Sequence, residues 1–315
     1  MRIIAFLACL LATVLFAGCG ASTAPEASEA AKITNLSQLA GVAAEANSSR
    51  FELTLELSAE GMPDGFSIGA SGAFDTAAKK AQIDLDLSSL GRMLGDLLAG
   101  LGGQQSGGID FADPDGWKLS IVSEGDKAYL RFPLLDSQLG GKKWVLLDAK
   151  SLSSGAANGF DPKLLEQFSD PRQILDLLGK ISGELENLGQ DDVRGEPTTH
   201  YRAVIDVAKV ATLLQDALDA QAGATPLDFS KLVEQLKGES GLSEIPLELW
   251  LGSDSLPRRI AVELEMKGQG GEGSLSLAMD MFDWGQPIDV DVPDASETVD
   301  SSALEKLGGL LGGTT

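Results

Sequence analysis

The chain has 315 residues, with 47 acidic against 24 basic side chains and a formal net charge of −23. That balance, spread along the whole length, argues against nucleic acid and against adsorption to anionic headgroups, since both depend on basic patches. Two cysteines and a single histidine leave too few ligands for a zinc centre.

Residues 1–19 carry the sharpest local signal. Arg2 supplies a positive n-region, Ile3 to Phe16 an almost unbroken apolar stretch, and Phe16-Ala17-Gly18-Cys19 a lipobox, in which small residues precede an obligatory cysteine. The expectation is a signal peptide over residues 1–18 and lipidation of Cys19 by a thioether-linked diacylglycerol, often with a further acyl chain such as palmitate on its amine. Two or three chains anchor stably where one is marginal. An ordinary secretory signal cut near Ala17 or after Ala21 is the alternative; a retained transmembrane anchor fits less well, because the apolar run falls short of the ~20 residues a span needs. Cys9 would leave with the leader, so the exported domain would have no thiol for a disulfide and would depend on its core. The expected location is extracytoplasmic, on the outer face of a bacterial cell membrane.

Residues 19–32, including Gly20 to Ala31, are small, polar and Pro-containing, as expected of a lipidated flexible tether. Asn35 to Asn47 reads as a short helix with Leu36, Leu39, Val42 and Ala43 on one face. From Arg50 the period becomes two: Phe51, Leu53, Leu55 and Leu57 alternate with Glu52, Thr54, Glu56 and Ser58, the pattern of a strand with one dry face. Further strands are predicted at 66–74, 80–87, 117–122, 127–132 and 143–148, joined by turns such as Pro63-Asp64-Gly65 and Glu124-Gly125-Asp126. Such short connections imply hairpins, hence an antiparallel meander.

Between the third and fourth strands, Ser88 to Gly108 places Leu90, Met93, Leu94, Leu97, Leu98 and Leu101 at helical spacing amid seven glycines. This segment is either a crossover packed on the sheet or a lid over a cavity, with Met93, Leu94, Leu97 and Leu98 as the lid residues. A long helical block is predicted over Asp161 to Leu188, broken at Pro171 and continued through Ile174, Leu175, Leu177, Leu178, Ile181 and Leu185. A strand at Pro197–Val207 leads into helices at Ala208–Gln221 and Phe229–Lys237. Strands return at Ile245–Leu251, Arg258–Met266 and Ser274–Phe282, followed by an extended piece, Pro287–Val292. The tail from 294 to 315, Gly- and Ser-rich beyond Asp300, is expected to be poorly ordered. Strands and helices thus fall in separate blocks, the mark of an α+β fold with helices covering one face of a large antiparallel sheet. The second block of strands most simply extends the first, giving one domain over residues 33–293.

Catalytic vocabulary is sparse. His200 is the single histidine, no Gly-x-Ser-x-Gly elbow is present, and on a strand His200 shares its face with Thr198 and Arg202, which suits a hydrogen-bonded strand residue better than a base. Asp110, Asp113 and Asp115 before Gly116 lack the spacing and distal Glu of a calcium loop. No phosphate-binding or dinucleotide fingerprint occurs, so neither cofactor nor metal is expected, and Asp84/Asp86 and Asp191/Asp192 read as solvated carboxylates rather than a glycosidase pair. Binding is a better expectation than catalysis.

Two stretches carry a family resemblance. Asp192-Val193-Arg194-Gly195-Glu196-Pro197-Thr198-Thr199-His200-Tyr201-Arg202-Ala203-Val204-Ile205-Asp206 and the closing Phe282-Asp283-Trp284-Gly285-Gln286-Pro287-Ile288-Asp289-Val290-Asp291-Val292-Pro293 resemble the actinobacterial LppX/LprG-type lipoproteins of the LolA-like superfamily, across roughly Leu36 to Pro293. The resemblance implies a strongly curved, open antiparallel sheet, a half-barrel, with helices across its concave face and an apolar cavity between them that takes a lipid or acylated glycolipid. The Gly-rich 88–108 insertion departs from the pattern, and ligand identity does not carry over.

The candidate cavity lining comprises Phe51, Leu53, Leu55, Ile83, Leu85, Leu119, Ile121, Leu130, Phe132, Leu247, Leu249 and Leu264. At ~0.8 kcal/mol per buried CH₂, an acyl chain of about 16 carbons gains roughly 10 kcal/mol before ordering costs. A filled core is the competing reading of the same aliphatic faces. The leading expectation is a membrane-anchored lipoprotein that binds, or binds and transfers, a lipid or glycolipid. The alternative is an envelope sensor that engages a protein partner through the same fold, and a hydrolase would require His200 to act as base.

Overall fold

The computed structural model describes residues 39, 42, 45–60, 65–100, 113–147, 182–210, 212, 243–268 and 271–300, with the side chains of 97–100 and 266–271 excepted. The leader, Cys19, the tether, most of the first predicted helix, residues 101–112, the helical block up to 181, the helices predicted within 213–242 and the tail beyond 300 lie outside the described residues.

Twelve strands form one open sheet. In chain order they are β1 (Ser48–Ala59), β2 (Phe66–Asp75), β3 (Lys80–Asp86), β4 (Lys118–Glu124), β5 (Lys127–Arg131), β6 (Trp144–Leu147), β7 (Glu186–Val193), β8 (Glu196–Asp206), β9 (Glu244–Leu251), β10 (Pro257–Gly268), β11 (Gly271–Phe282) and β12 (Thr298–Asp300), with helix α1 (Ser88–Gly100) between β3 and β4. Their spatial order is β12-β6-β5-β4-β3-β2-β1-β11-β10-β9-β8-β7. Two antiparallel meanders, β1–β6 and β7–β11, therefore meet where β11 pairs with β1 over Arg50↔Phe282 to Ala59↔Gly273. The second block of strands extends the sheet begun by the first. The one parallel pairing is β12 against β6.

The sheet's main buried face follows the alternation. Phe51, Leu53, Leu55 and Leu57 of β1 lie beside Met281, Met279, Leu277 and Leu275 of β11, which continue through Ile260, Val262 and Leu264 of β10 and Leu249 of β9. With Leu247, Ile245, Ala203 and Ile205 they form one cluster that also takes in Leu39, Val207 and Val210. Leu249, Leu275 and Leu277 are each only 1% exposed, and full burial of a Leu is worth about 1.5–3 kcal/mol relative to exposure.

In β7 and β8 two boundaries depart from expectation. Leu185 to Leu188, predicted as the end of a helix, instead lead into β7, an edge strand paired with β8. The decisive local chemistry is the turn at Arg194 and Gly195, both at positive φ (56° and 83°), the two-residue geometry that closes a tight hairpin; β7 itself is polar and largely exposed, so no dry-face alternation marks it. The strand predicted to end at Val207 ends at Asp206, whose carboxylate accepts the Ala208 amide at 2.8 Å and so caps the helical turn that starts at Val207.

The chain crosses to the far edge after β11. Asp283 and Gly285 both take positive φ, the Gly285 amide bonds the Ser48 carbonyl at 2.9 Å, and the Trp284 indole N–H donates to the Pro257 carbonyl at 2.9 Å. The predicted extended piece then runs as a strap over the outer side of β4–β6, where Val290, 3% exposed, meets Val122 and Tyr129, with Ile288, Val292, Trp144 and Leu146 around them. It ends in a short 3₁₀ turn, Ala295–Glu297, and β12.

Candidate functional site

Cross-strand register assembles the candidate lining residues on one face. Phe51 lies opposite Gly72, Gly72 opposite Ile83, Ile83 opposite Ile121, Ile121 opposite Leu130 and Leu130 opposite Val145. A second row runs from Leu53 through Ala70, Leu85 and Leu119. Phe132, extended at φ −134° and two positions beyond Leu130, falls on the same side and meets Trp117 edge-on with ring centroids 5.9 Å apart. Leu247, Leu249 and Leu264 continue this face on β9 and β10.

Burial divides the face in two. Phe51, Leu53, Leu55, Leu247, Leu249 and Leu264 are sealed, at 7% exposure or less, whereas Ile83, Leu85, Leu119, Ile121, Leu130 and Phe132 are only half-buried. The sealed half behaves as a core. The other half presents aliphatic side chains with part of their surface still open to water.

Helix α1 borders that open half. The Asp86 carboxylate accepts the Ser88 amide at 2.9 Å as an N-terminal cap, and the Ser88 hydrogen bonds hold the Asp86 carboxyl below its ordinary value. The Ser89 and Ser67 hydroxyls are 3.0 Å apart, which ties the first turn to β2. Gly91 lies against Trp117 so closely that a Cβ there would come within 2.3 Å of the indole nitrogen; glycine is required for this approach. Of the candidate lid residues, Met93 is 42% exposed and Leu94 half-buried, while the side chains of Leu97 and Leu98 lie outside the described residues.

The opposite face carries the polar groups. Glu52, Asp280, Arg259, Trp250 and His200 line up on neighbouring strands. Arg259 is bidentate to Asp280 at 2.6 and 2.8 Å, Arg194 bonds Glu52 at 2.7 Å and its guanidinium lies over the Phe282 ring. His200 stacks on Trp250 with centroids 4.2 Å apart, and its Nε2 is 2.8 Å from Glu248 Oε2. Burial opposes ionisation of Glu248, but hydrogen bonds from Arg202 and His200 outweigh it and hold the carboxyl below its ordinary value. The indole N–H of Trp250 does the same for Asp191. His200 thus occupies a structural stack, with a carboxylate but no described nucleophile hydrogen-bonded to it. Asp84 accepts from Ser120 and Gln82, Asp192 from the Gly195 amide and Asp113 from the Asp115 amide; each does a turn's or a strand's work. Among the described residues no group of metal-ligating side chains gathers, and no helix is long and apolar enough to cross a membrane.

The sequence reading omitted several residues of the apolar face: Ile68, Ala70, Trp117, Met279 and Met281 all belong to it. The alternation Leu275, Leu277, Met279, Met281 carries the signal for two of them. Trp117 precedes its strand in a 3₁₀ turn, and Ile68 and Ala70 lie on a strand whose glycines dilute the pattern.

No family model matches the chain. A curated protein of Streptomyces griseus, described as an uncharacterized 31.2 kDa protein in the rplA-rplJ intergenic region, is 32% identical over 177 residues, which is 56% of this chain and 54% of that protein; the chain thus matches about half the length of this relative. Among solved structures, Mycobacterium tuberculosis lipoprotein LppX aligns with 81% of this chain and 98% of its own at 12% identity and TM-score 0.40. LprF from Mycobacterium bovis aligns with 82% and 97% at 13% identity and TM-score 0.40. A putative outer membrane lipoprotein-sorting protein domain from Vibrio parahaemolyticus aligns with 81% and 94% at 8% identity and TM-score 0.26. The chain is similar to lipoproteins of the LppX and LprF type, the group its two motifs resemble, and its own fold is a large, open, mostly antiparallel sheet.

Proposed function

We propose that this protein is an extracytoplasmic lipoprotein, anchored through Cys19 to the outer face of a bacterial cell membrane, that binds a lipid or acylated glycolipid along the inner face of its sheet. The observation that carries the reading is the division of that face. One half is a sealed core; the other, on β3–β5, keeps Ile83, Leu85, Leu119, Ile121 and Leu130 half-buried. Aliphatic side chains held on a rigid sheet with unspent apolar surface form a receptor for acyl chains, because burial of methylene groups needs no directional partner. The charged groups of β1 and β7–β11 lie on the other face, paired with one another, so they leave the acyl path free of charge. Transfer, rather than mere holding, follows if the ligand exchanges between membranes.

Native mass spectrometry of the protein purified from its own host tests binding. The expected result is a stoichiometric lipid adduct, and incubation of stripped protein with host lipids should restore it. A protein that stays ligand-free under both conditions, yet pulls down a single envelope protein from cross-linked membranes, would favour the sensor reading.

A further inference from the structure

We propose that the tip of the β7–β8 hairpin, residues 192–198, is a latch fastened to the outer face of the sheet by charge, which lifts independently of the core and is released by ionic strength. The inference concerns the face opposite the proposed lipid surface and does not rest on that reading.

Among the described residues, side chains rather than a backbone ladder join this tip to the rest of the sheet. β7 is the last strand in the spatial order, and β8 pairs with β9 only from Thr199 onward, opposite Leu251. Residues 192–198 pair within the hairpin and project past the end of β9. Arg194 nevertheless reaches Glu52 at 2.7 Å, on β1, four places along the sheet from β8, so the tip lies folded back over the outer face. There the guanidinium is also 3.9 Å from Asp280 and 4.1 Å from the Phe282 ring centroid, while Glu196 pairs with Arg258 at 2.6 Å. Val193 and Thr198, within the tip, are each 2% exposed.

Turn chemistry does not call for an arginine at 194. Both turn residues have positive φ, a geometry that favours Asn-Gly or Asp-Gly, and a long side chain there is strained; the contacts of its guanidinium compensate. That fastening is light. The Arg194 and Glu52 side chains are 40% and 57% exposed, and exposed ion pairs contribute little and are screened by salt. The Thr198 hydroxyl oxygen is buried with no hydrogen-bond partner among the described residues, a cost that lifting the tip removes. A segment held by exposed charges at the edge of a sheet opens locally while the core stays closed. With the tip raised, Val193 and the Phe282 ring are bared on the outer face.

Thiol reactivity in the native state tests the latch. Cys9 and Cys19 are the chain's two cysteines, so the full chain carrying Cys9→Ser and Cys19→Ser has no thiol until Val193→Cys adds one. Thr198→Cys is a second probe of the tip, and Val262→Cys, 2% exposed in the core of β10, is the control. With a neutral thiol reagent, Val193→Cys should react several-fold faster than Val262→Cys. Arg194→Asn suits the turn but removes the cation; it should raise the Val193→Cys rate several-fold further, as should high sodium chloride, without raising the Val262→Cys rate. Loss of a neighbouring cation by itself leaves a thiol less ionised and slower to react, so this increase has the opposite sign to a direct charge effect. Equal rates at tip and core cysteines mean that the tip opens only when the whole domain unfolds, and overturn the latch. A tip rate that does not rise on both changes means that charge does not hold it, and overturns the latch as well.

Discussion

Gly72 and Gly91 place two aromatic side chains of the apolar face. A Cβ at Gly72 would lie 2.4 Å from the Phe51 ring, which stacks on Phe74 with centroids 5.2 Å apart. Gly72→Ala should therefore displace that ring and lower stability by about 1–3 kcal/mol, the usual cost of overpacking, as read by urea unfolding. Gly91→Ala sets a helix-propensity gain of about 1 kcal/mol against a clash with Trp117; the rigid indole has no flexible end to give, so the net effect should be destabilising and accompanied by a change in tryptophan emission. On the outer face, His200→Ala should lower stability by about 1 kcal/mol, through loss of the Trp250 stack and the Glu248 hydrogen bond, and leave lipid binding unchanged. The Glu248 carboxyl is held below its ordinary value in the folded state. Its contribution to stability is present above the unfolded value, near pH 4.3, and is lost as pH falls through the lower folded value. Thermal scans from pH 6 to pH 3 should show this acid limb flattened in Glu248→Gln.

At the scale of elements, period was a good guide wherever one side of a strand is dry. The Phe51-to-Leu57 alternation and those of β9–β11 could be read directly from the chain, and so could eleven of the twelve candidate lining residues as members of strands, with Phe132 at a strand's end. β7 could not be, because its side chains are mostly exposed on both sides and only the Arg194-Gly195 turn betrays its hairpin. β12 has three residues, too few to show a period. The split of the apolar face into a sealed and an open half was equally illegible: Leu55 and Ile121 are alike as letters, and their difference comes from what packs over β1 and β4. The strap at 287–292 was legible as extended chain but not as a cover for the outer side. Val290, 3% exposed against Val122 and Tyr129, makes that role testable. Val290→Ala should cost about 1–3 kcal/mol in thermal unfolding, whereas the same change at half-exposed Val292 should cost less.

Across the whole molecule, a single sheet joins both ends of the described chain: β1 and β11 close the two meanders on each other and β12 returns to the β6 edge. Over β1 and β8–β11 the sheet separates two chemistries, with ion pairs on its outer face and aliphatic side chains on its inner one, while the outer side of β4–β6 is apolar under the strap. On the proposed reading, the half-buried residues of β3–β5 supply the surface a lipid would cover. Substitution distinguishes core from receptor: Leu277→Asp, in the sealed half, should unfold the protein, since an unpaired buried charge costs several kcal/mol, while Ile121→Asp should leave it folded. Native mass spectrometry of purified wild-type and Ile121→Asp proteins, after each has met the same host lipids, tests the central claim most directly. The expected result is a stoichiometric lipid adduct on the wild type that is lost in a still-folded Ile121→Asp protein; equal lipid occupancy in the two proteins would contradict it.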